Sequence, residues 1–256
     1  LMLREMKRGW PLGIFLVLAG CHNGRREPGW SILASPTGKA AILLRPNEFR
    51  RLGPDGPGPV RRLTKEAADE GRLALRDDGA LFYRTPSGVW HRRDPDGKVV
   101  RLRKGPRLSC ALAVGGDRLV GYVPDRYREG VAYFGLNAAH FRLTVVDLAT
   151  GKTRVERGEP TLTVAALATD GREFLGAEGE YRPDGDGDYL ARYRIGADGR
   201  PEPLGRREWL GHDLVRADGR WWTVVDEGGV NGARNYRYEI APVDPQTGRT
   251  GPVVTS

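Results

Sequence analysis

The sequence predicts an all-β fold built from repeated four-stranded antiparallel units, and three observations lead there. Amphipathic helical spacing is nearly absent. With 36 glycines and 18 prolines in 256 residues, the chain is punctuated too often for long helices. Two kinds of glycine turn alternate along it, each followed by a run of strand-forming Val, Ile, Leu, Tyr or Trp.

The first turn opens each unit. It appears as SPTGKAAILL around Gly38, RDDGALFYRT around Gly79, VGGDRLVGYV around Gly116, ATDGREFLGA around Gly171 and RADGRWWTVV around Gly219. The spacings are 41, 37, 55 and 48 residues. The second turn follows every time, around Gly56, Gly97, Gly151, Gly199 and Gly248. Asp-Gly and Thr-Gly supply the positive φ that tight hairpins need. Each unit therefore reads as strand A, turn, strand B, loop, strand C, turn, strand D. Five such units predict a β-propeller, whose radial stacking leaves only short, protected edges. The expected blades are residues 28–64, 65–105, 106–158, 159–206 and 207–256. A β-sandwich or irregular barrel is the alternative, since those folds also give regular short strands.

The stretch AVGGDRLVGYV from Ala113, followed by LTVVDLATGKT from Leu143 with Asp147 and Gly151, resembles the TolB-type, WD40-like propeller repeat. The resemblance covers most of the chain at repeat level and implies a propeller. The chain departs from TolB itself in showing five units and no recognisable extra N-terminal domain. Partner-binding residues of that family are therefore not carried over.

Ahead of the first unit, Met6, Lys7 and Arg8 precede a ten-residue apolar run from Pro11 to Gly20. Such a run is too short to span a bilayer and fits an export signal. Leu18-Ala19-Gly20-Cys21 resembles the lipobox of bacterial lipoproteins, which implies that the Cys21 thiol is lipidated. The expected organisation is a signal peptide over 1–20 with Met6 as true start, a lipid-anchored linker over 21–27, and the propeller over 28–256. The protein is expected to be exported, anchored to a bacterial membrane and facing the periplasm or cell surface. With Cys21 modified, Cys110 is left without an intramolecular partner and is expected to be a buried structural cysteine.

The net charge of +8 comes from 41 basic and 33 acidic residues, interspersed rather than clustered. That pattern argues for a solvated mixed surface and against nucleic acid as a partner. The two turns of a unit are 18, 18, 35, 28 and 29 residues apart, so units three to five carry insertions between strands B and C. These fall on one face, where long loops on a rigid scaffold place binding. Tyr127, Tyr133, Phe134 and His140 in the third insertion, with Arg234, Asn235 and Tyr236 in the fifth, form the expected recognition patch for a protein or glycan ligand. Asp184, Asp186 and Asp188 in the fourth match the start of a calcium loop, but position 12 is Ile195 where a bidentate Glu is needed.

No nucleophile elbow, zinc-binding helix motif, phosphate loop or dinucleotide fingerprint is present, so neither a cofactor nor an enzyme signature is read from the sequence. The leading expectation is a binding or scaffolding protein. The alternative is an exported glycan hydrolase using Asp69, Glu70 and Asp213 at the mouth of the channel, with Arg72 and Arg216 as nearby neutralising cations.

Overall fold

The computed structural model describes residues 31–45, 48–53, 56–63, 73–133, 136–158, 160–161, 163–180, 187–209, 211–217, 219–226 and 238–253. Among them there is no helix. The first sheet contains β1 (Ser31–Ala34), β2 (Ala41–Arg45), β3 (Glu48–Gly53), β4 (Gly56–Pro57) and β5 (Arg61–Arg62). The second contains β6 (Leu73–Leu75), β7 (Leu81–Arg84), β8 (Val89–Arg93) and β9 (Val99–Lys104). The third contains β10 (Ser109–Gly115), β11 (Arg118–Tyr133), β12 (Leu136–Asp147) and β13 (Lys152–Val155). The fourth contains β14 (Thr163–Thr169), β15 (Glu173–Glu180), β16 (Gly187–Ile195) and β17 (Pro201–Glu208). The fifth contains β18 (Gly211–Ala217), β19 (Arg220–Asp226) and β20 (Tyr238–Pro242).

Strand order follows chain order, and the first strands of successive sheets lie side by side: β1 by β6, β6 by β10, β10 by β14, β14 by β18. This is a propeller-like arrangement of antiparallel blades. Four sheets carry a four-strand path, and the fifth shows three strands among the described residues. In the first sheet the outer position is split, because β4 and β5 both pair with β3. Pro57 and Pro59 lack the N–H that a continuous outer strand would have to donate.

The turn chemistry explains the repeat. Gly38, Gly79, Gly116, Gly171 and Gly219 all have positive φ and all occupy the first hairpin of their sheets. An upstream aspartate accepting a backbone N–H two residues on completes two of these turns, Asp78 from Ala80 and Asp170 from Arg172, and three of the later turns, Asp96 from Lys98, Asp198 from Arg200 and Asp244 from Gln246.

Alternation along the strands sends side chains into two different cores. On β7, Leu81 and Tyr83 pack with Ile42, Phe49, Leu63 and Leu75 between the first two sheets. Phe82 points the other way, to Trp90, Leu108, Leu119, Val146 and Leu148 between sheets two and three. On β15, Phe174 packs with Val120, Tyr122, Leu143 and Tyr193, while Leu175 and Ala177 join Trp209, Leu214 and Trp221 between sheets four and five. Both faces of β7 and β15 are buried, whereas β2 of the first sheet buries only Ile42 fully.

The arginines are not merely a solvated coat. The chain holds 35 arginines against 6 lysines, and guanidinium groups tie each sheet to the next. Arg61 donates to the Pro95 carbonyl (3.3 Å) and Arg93 to that of Arg62 (2.9 Å). Arg76 donates to Gly116, Arg92 pairs with Asp117, and Arg103 donates to Ala149 (2.9 Å). Arg200 donates to Val155 (3.1 Å) and Arg207 to Gln246 (3.2 Å). Five fixed donors on a long apolar stem let arginine satisfy turn carbonyls of a neighbouring blade, a geometry that lysine does not offer.

Two further expectations are corrected. The third insertion is built as strand: β11 and β12 run on as one hairpin of 16 and 12 residues, paired without interruption from Arg118–Asp147 to Pro124–Phe141 and then, with two register shifts, at Tyr127–Ala139, Ala132–Asn137 and Tyr133–Leu136. At the paired positions the lengthened strands satisfy each other's backbone groups, so the insertion extends the blade, with register shifts on both sides of Tyr127. Cys110 is disulfide-bonded and half-buried, and its bonding partner lies outside the described residues. It sits at a bulge with φ of 52°, between the Ser109–Tyr122 and Leu112–Val120 pairs.

That bulge makes a prediction at Gly121. A Cβ there would lie 3.0 Å from the Ser109 carbonyl oxygen and 3.2 Å from the Ala111 Cα, both backbone atoms that cannot swing aside. Gly121→Ala should therefore destabilise the fold by about 1–3 kcal/mol. A urea midpoint equal to wild type at unchanged m would show that the bulge does not press on this strand.

Candidate functional site

The most unusual chemistry among the described residues lies at the seam between the third and fourth sheets. Tyr122 on β11 and Tyr193 on β16 both donate their hydroxyls to Glu178 Oε1, at 2.7 and 2.5 Å. The other carboxylate oxygen faces Arg206 on β17 at 3.0 Å. Side-chain exposure is 1% for Glu178 and 32% for Arg206, so the guanidinium shields the acid from solvent. Close by, Glu156 follows β13 and is also buried; its Oε2 accepts the Leu143 N–H at 2.9 Å. Arg142, whose guanidinium donates to the Gly158 carbonyl, adds positive charge beside it.

Local sequence builds this seam. On β15 the period of two places Phe174, Gly176 and Glu178 on one face, and Gly176 pairs with Ala191. Two small residues side by side leave a trough on the sheet in which the phenol of Tyr122 lies. A Cβ at Gly176 would overlap the Tyr122 hydroxyl. Thr161 closes the same end, with its hydroxyl 2.9 Å from the Gly179 carbonyl oxygen.

Burial pushes the Glu178 carboxyl above its ordinary range, although Arg206 and the two phenols pull it back down. Burial also raises Glu156, to about 7; the nearby Glu178 charge adds to this, while the Leu143 N–H, Arg206 and Arg142 oppose it. Both tyrosines are raised, first by burial and then by the Glu178 charge, so they remain protonated donors. The site can hold charge between two blades and exchange a proton near neutral pH. Its carboxylates are enclosed rather than facing one another across a cleft.

The residues singled out in the sequence fall elsewhere. Cys21, Asp69, Glu70, Arg72, Phe134, Asp184, Asp186, Arg234, Asn235 and Tyr236 lie outside the described residues. Tyr127 and Tyr133 stand on β11 opposite Ala139 and Leu136, and half-buried His140 is on β12 of the same hairpin. Asp188 stands on β16 opposite Gly179. Asp213 is on β18, within the irregularity between the Gly211 and Leu214 pairs, and Arg216 on the same strand pairs with Trp221. The structure thus gathers Tyr127, Tyr133 and His140 on one hairpin. The Glu178 cluster escaped the sequence reading, although an acid two residues from Gly176 on the face of Phe174 was the available signal.

No family model and no curated protein matches the chain. Among solved structures, it is similar to puromycin hydrolase at 18% identity and a TM-score of 0.43, covering 82% of this chain and 32% of that one. It is also similar to YCF48 bound to D1 peptide, at 14% identity and a TM-score of 0.41 over 90% of this chain and 73% of that one. A streptogramin B lyase gives 13% identity and 0.36 over 78% and 77%. The chain spans about a third of the puromycin hydrolase. At these scores the likeness concerns β-propeller architecture and carries no argument about activity.

Two outcomes test the seam. Gly176→Ala should cost about 1–3 kcal/mol by overpacking against Tyr122, and less in a Tyr122→Phe background where the hydroxyl is gone; additive losses in a double-mutant cycle would disprove the contact. For Glu156, a folded pKa of about 7 against an ordinary 4.5 means that the folded state binds the proton more tightly. Its contribution is therefore most favourable below pH 4.5 and is lost as pH rises through 7. Glu156→Gln should remove this dependence, gaining up to about 3 kcal/mol on wild type between the two ends of the window. Parallel urea-midpoint profiles for the two proteins would disprove it.

Proposed function

We propose that the chain is an exported, envelope-associated propeller of five blades closing into a ring, which binds a protein or glycan ligand on the face that carries the β11–β12 hairpin. One observation carries the reading. β11 and β12 have 16 and 12 residues where β7 and β8 have 4 and 5, so a paired hairpin stands beyond the blade edge and bears Tyr127, Tyr133 and His140. A hairpin held by its own ladder presents side chains at low ordering cost, which favours binding. The enclosed state of Glu156 and Glu178 supports fastening rather than hydrolysis at that seam.

The disulfide at Cys110 supports export, because such bonds persist in oxidising compartments. It also favours a second reading of the N-terminus. Cys21 is the other cysteine of the sequence, and one thiol cannot be both a thioether and half of a disulfide. An exported chain closed by a Cys21–Cys110 bond competes with a lipid-anchored chain in which Cys110 pairs with another molecule.

Two measurements decide these points. Intact mass of the membrane-derived protein should show either a diacylglyceryl adduct lost in Cys21→Ser, or a chain lighter by two hydrogens that regains them on reduction; an unmodified mass with the apolar leader still attached would overturn export. A photocrosslinking amino acid at Tyr127 or Tyr133 should capture a discrete partner in the envelope, while one at Lys98 or Thr150, in turns at the other end of the strands, should not. Equal capture from both ends would overturn the hairpin-face reading. Release of reducing sugar from purified glycan, lost in Asp213→Asn, would replace it with the hydrolase.

A further inference from the structure

A second surface is set apart by charge. β9 and β13 are the outermost strands of the second and third sheets. Arg101, Lys104 and Arg107 on and after β9, with Lys152 and Arg157 on and after β13, are exposed, and Arg154 is half-exposed. The Arg103 hydrogen bond to the Ala149 carbonyl ties the β9 edge to the turn that leads into β13, so both basic segments belong to one rim. Residues 97–116 contain no acid, and the one acid of residues 148–158 is Glu156, buried beneath. None of the six cations forms an ion pair among the described residues, unlike Arg76, Arg92 and Arg192.

Elsewhere many arginines are held by carboxylates and turn carbonyls of the next blade, and exposed Arg172, Arg220 and Arg249 are scattered over the fourth and fifth sheets. Here five exposed cations and half-exposed Arg154 lie on or just after the outermost strands of two adjacent sheets. Val99 on β9 is 47% exposed, the highest among the exposed large apolar side chains, and lies at the start of the same strand. No exposed aromatic ring accompanies it among the described residues. Stacking platforms for sugars or bases are therefore missing from the rim, whereas cations around an apolar side chain match the headgroup region of a bilayer.

We propose that the β9–β13 rim docks the protein on a membrane surface rich in anionic phospholipid, with Arg101, Lys104, Arg107, Lys152, Arg154 and Arg157 facing the headgroup phosphates. The contact orients the propeller side-on to the bilayer. It goes beyond the binding reading above and holds for an anchored or an unanchored chain.

The test is flotation of the full-length protein with phosphatidylcholine vesicles, with and without phosphatidylglycerol. Binding should require phosphatidylglycerol and weaken as salt is added. Each cation near such a surface changes affinity roughly fivefold, so the exposed triple variant R101E/K104E/R107E should bind at least about 100-fold more weakly, with an unchanged circular dichroism spectrum. Both proteins are floated in a Cys21→Ser background, because an acyl anchor would carry the chain into both kinds of vesicle whatever the rim does. Equal binding to both vesicles by wild type and variant alike overturns the proposal and leaves the cations as guards of exposed sheet edges. Soluble heparin or DNA binding as tightly as the vesicles, with the same loss in the variant, overturns it too, because the rim would then select any polyanion.

Discussion

The packing of the central sheets depends on inner strands such as β7 and β15 being buried on both faces. A blade cannot cover its own surfaces; Phe82 needs Leu119 and Val146 of the following blade just as Tyr83 needs Phe49 of the preceding one. Stability is therefore shared between neighbours and grows with each blade added, as in other repeat architectures. The same constraint dictates composition. Positions on inner strands cannot be polar without a partner, so charged side chains are displaced to the outermost strands, where β9 and β17 are largely exposed.

Apolar packing between twisted sheets is non-directional and does not by itself fix how one blade sits on the next. The directional element is polar. Guanidinium groups reaching turn carbonyls set the spacing near the hairpins, and the Tyr122–Glu178–Tyr193 cluster does so within one seam. A buried carboxylate costs several kcal/mol in desolvation, and the two phenols with Arg206 offset part of that cost. Glu178 accordingly specifies an arrangement more than it adds stability, and neighbouring Glu156 is raised first by its own burial and then by the Glu178 charge.

The third insertion is shaped by its backbone. Extra residues between the second and third strands of a blade must satisfy their N–H and C=O groups, and in the third blade they do so by pairing with each other out to Tyr133–Leu136. The product is a hairpin carrying Tyr127 and Tyr133 beyond the shared register of the blade, while β9 and β13 are the outermost strands of their sheets. The two surfaces do not compete for the same residues.

The sequence by itself determined the strand-turn-strand rhythm, because a turn with positive φ requires glycine and an upstream aspartate completes it; Gly79 with Asp78 and Gly199 with Asp198 are local chemistry, visible within five residues. It also placed the third insertion, since turn-to-turn distances are a matter of counting; the fourth and fifth fall largely outside the described residues. What the tertiary structure alone decided is which side chains meet across a seam. Tyr122 and Glu178 are 56 residues apart, and no periodicity links them. Arginine looked like solvated surface for the same reason: whether Arg103 meets water or the Ala149 carbonyl depends on the rotation of one blade against another, a quantity fixed only when both faces of every inner strand are packed at once.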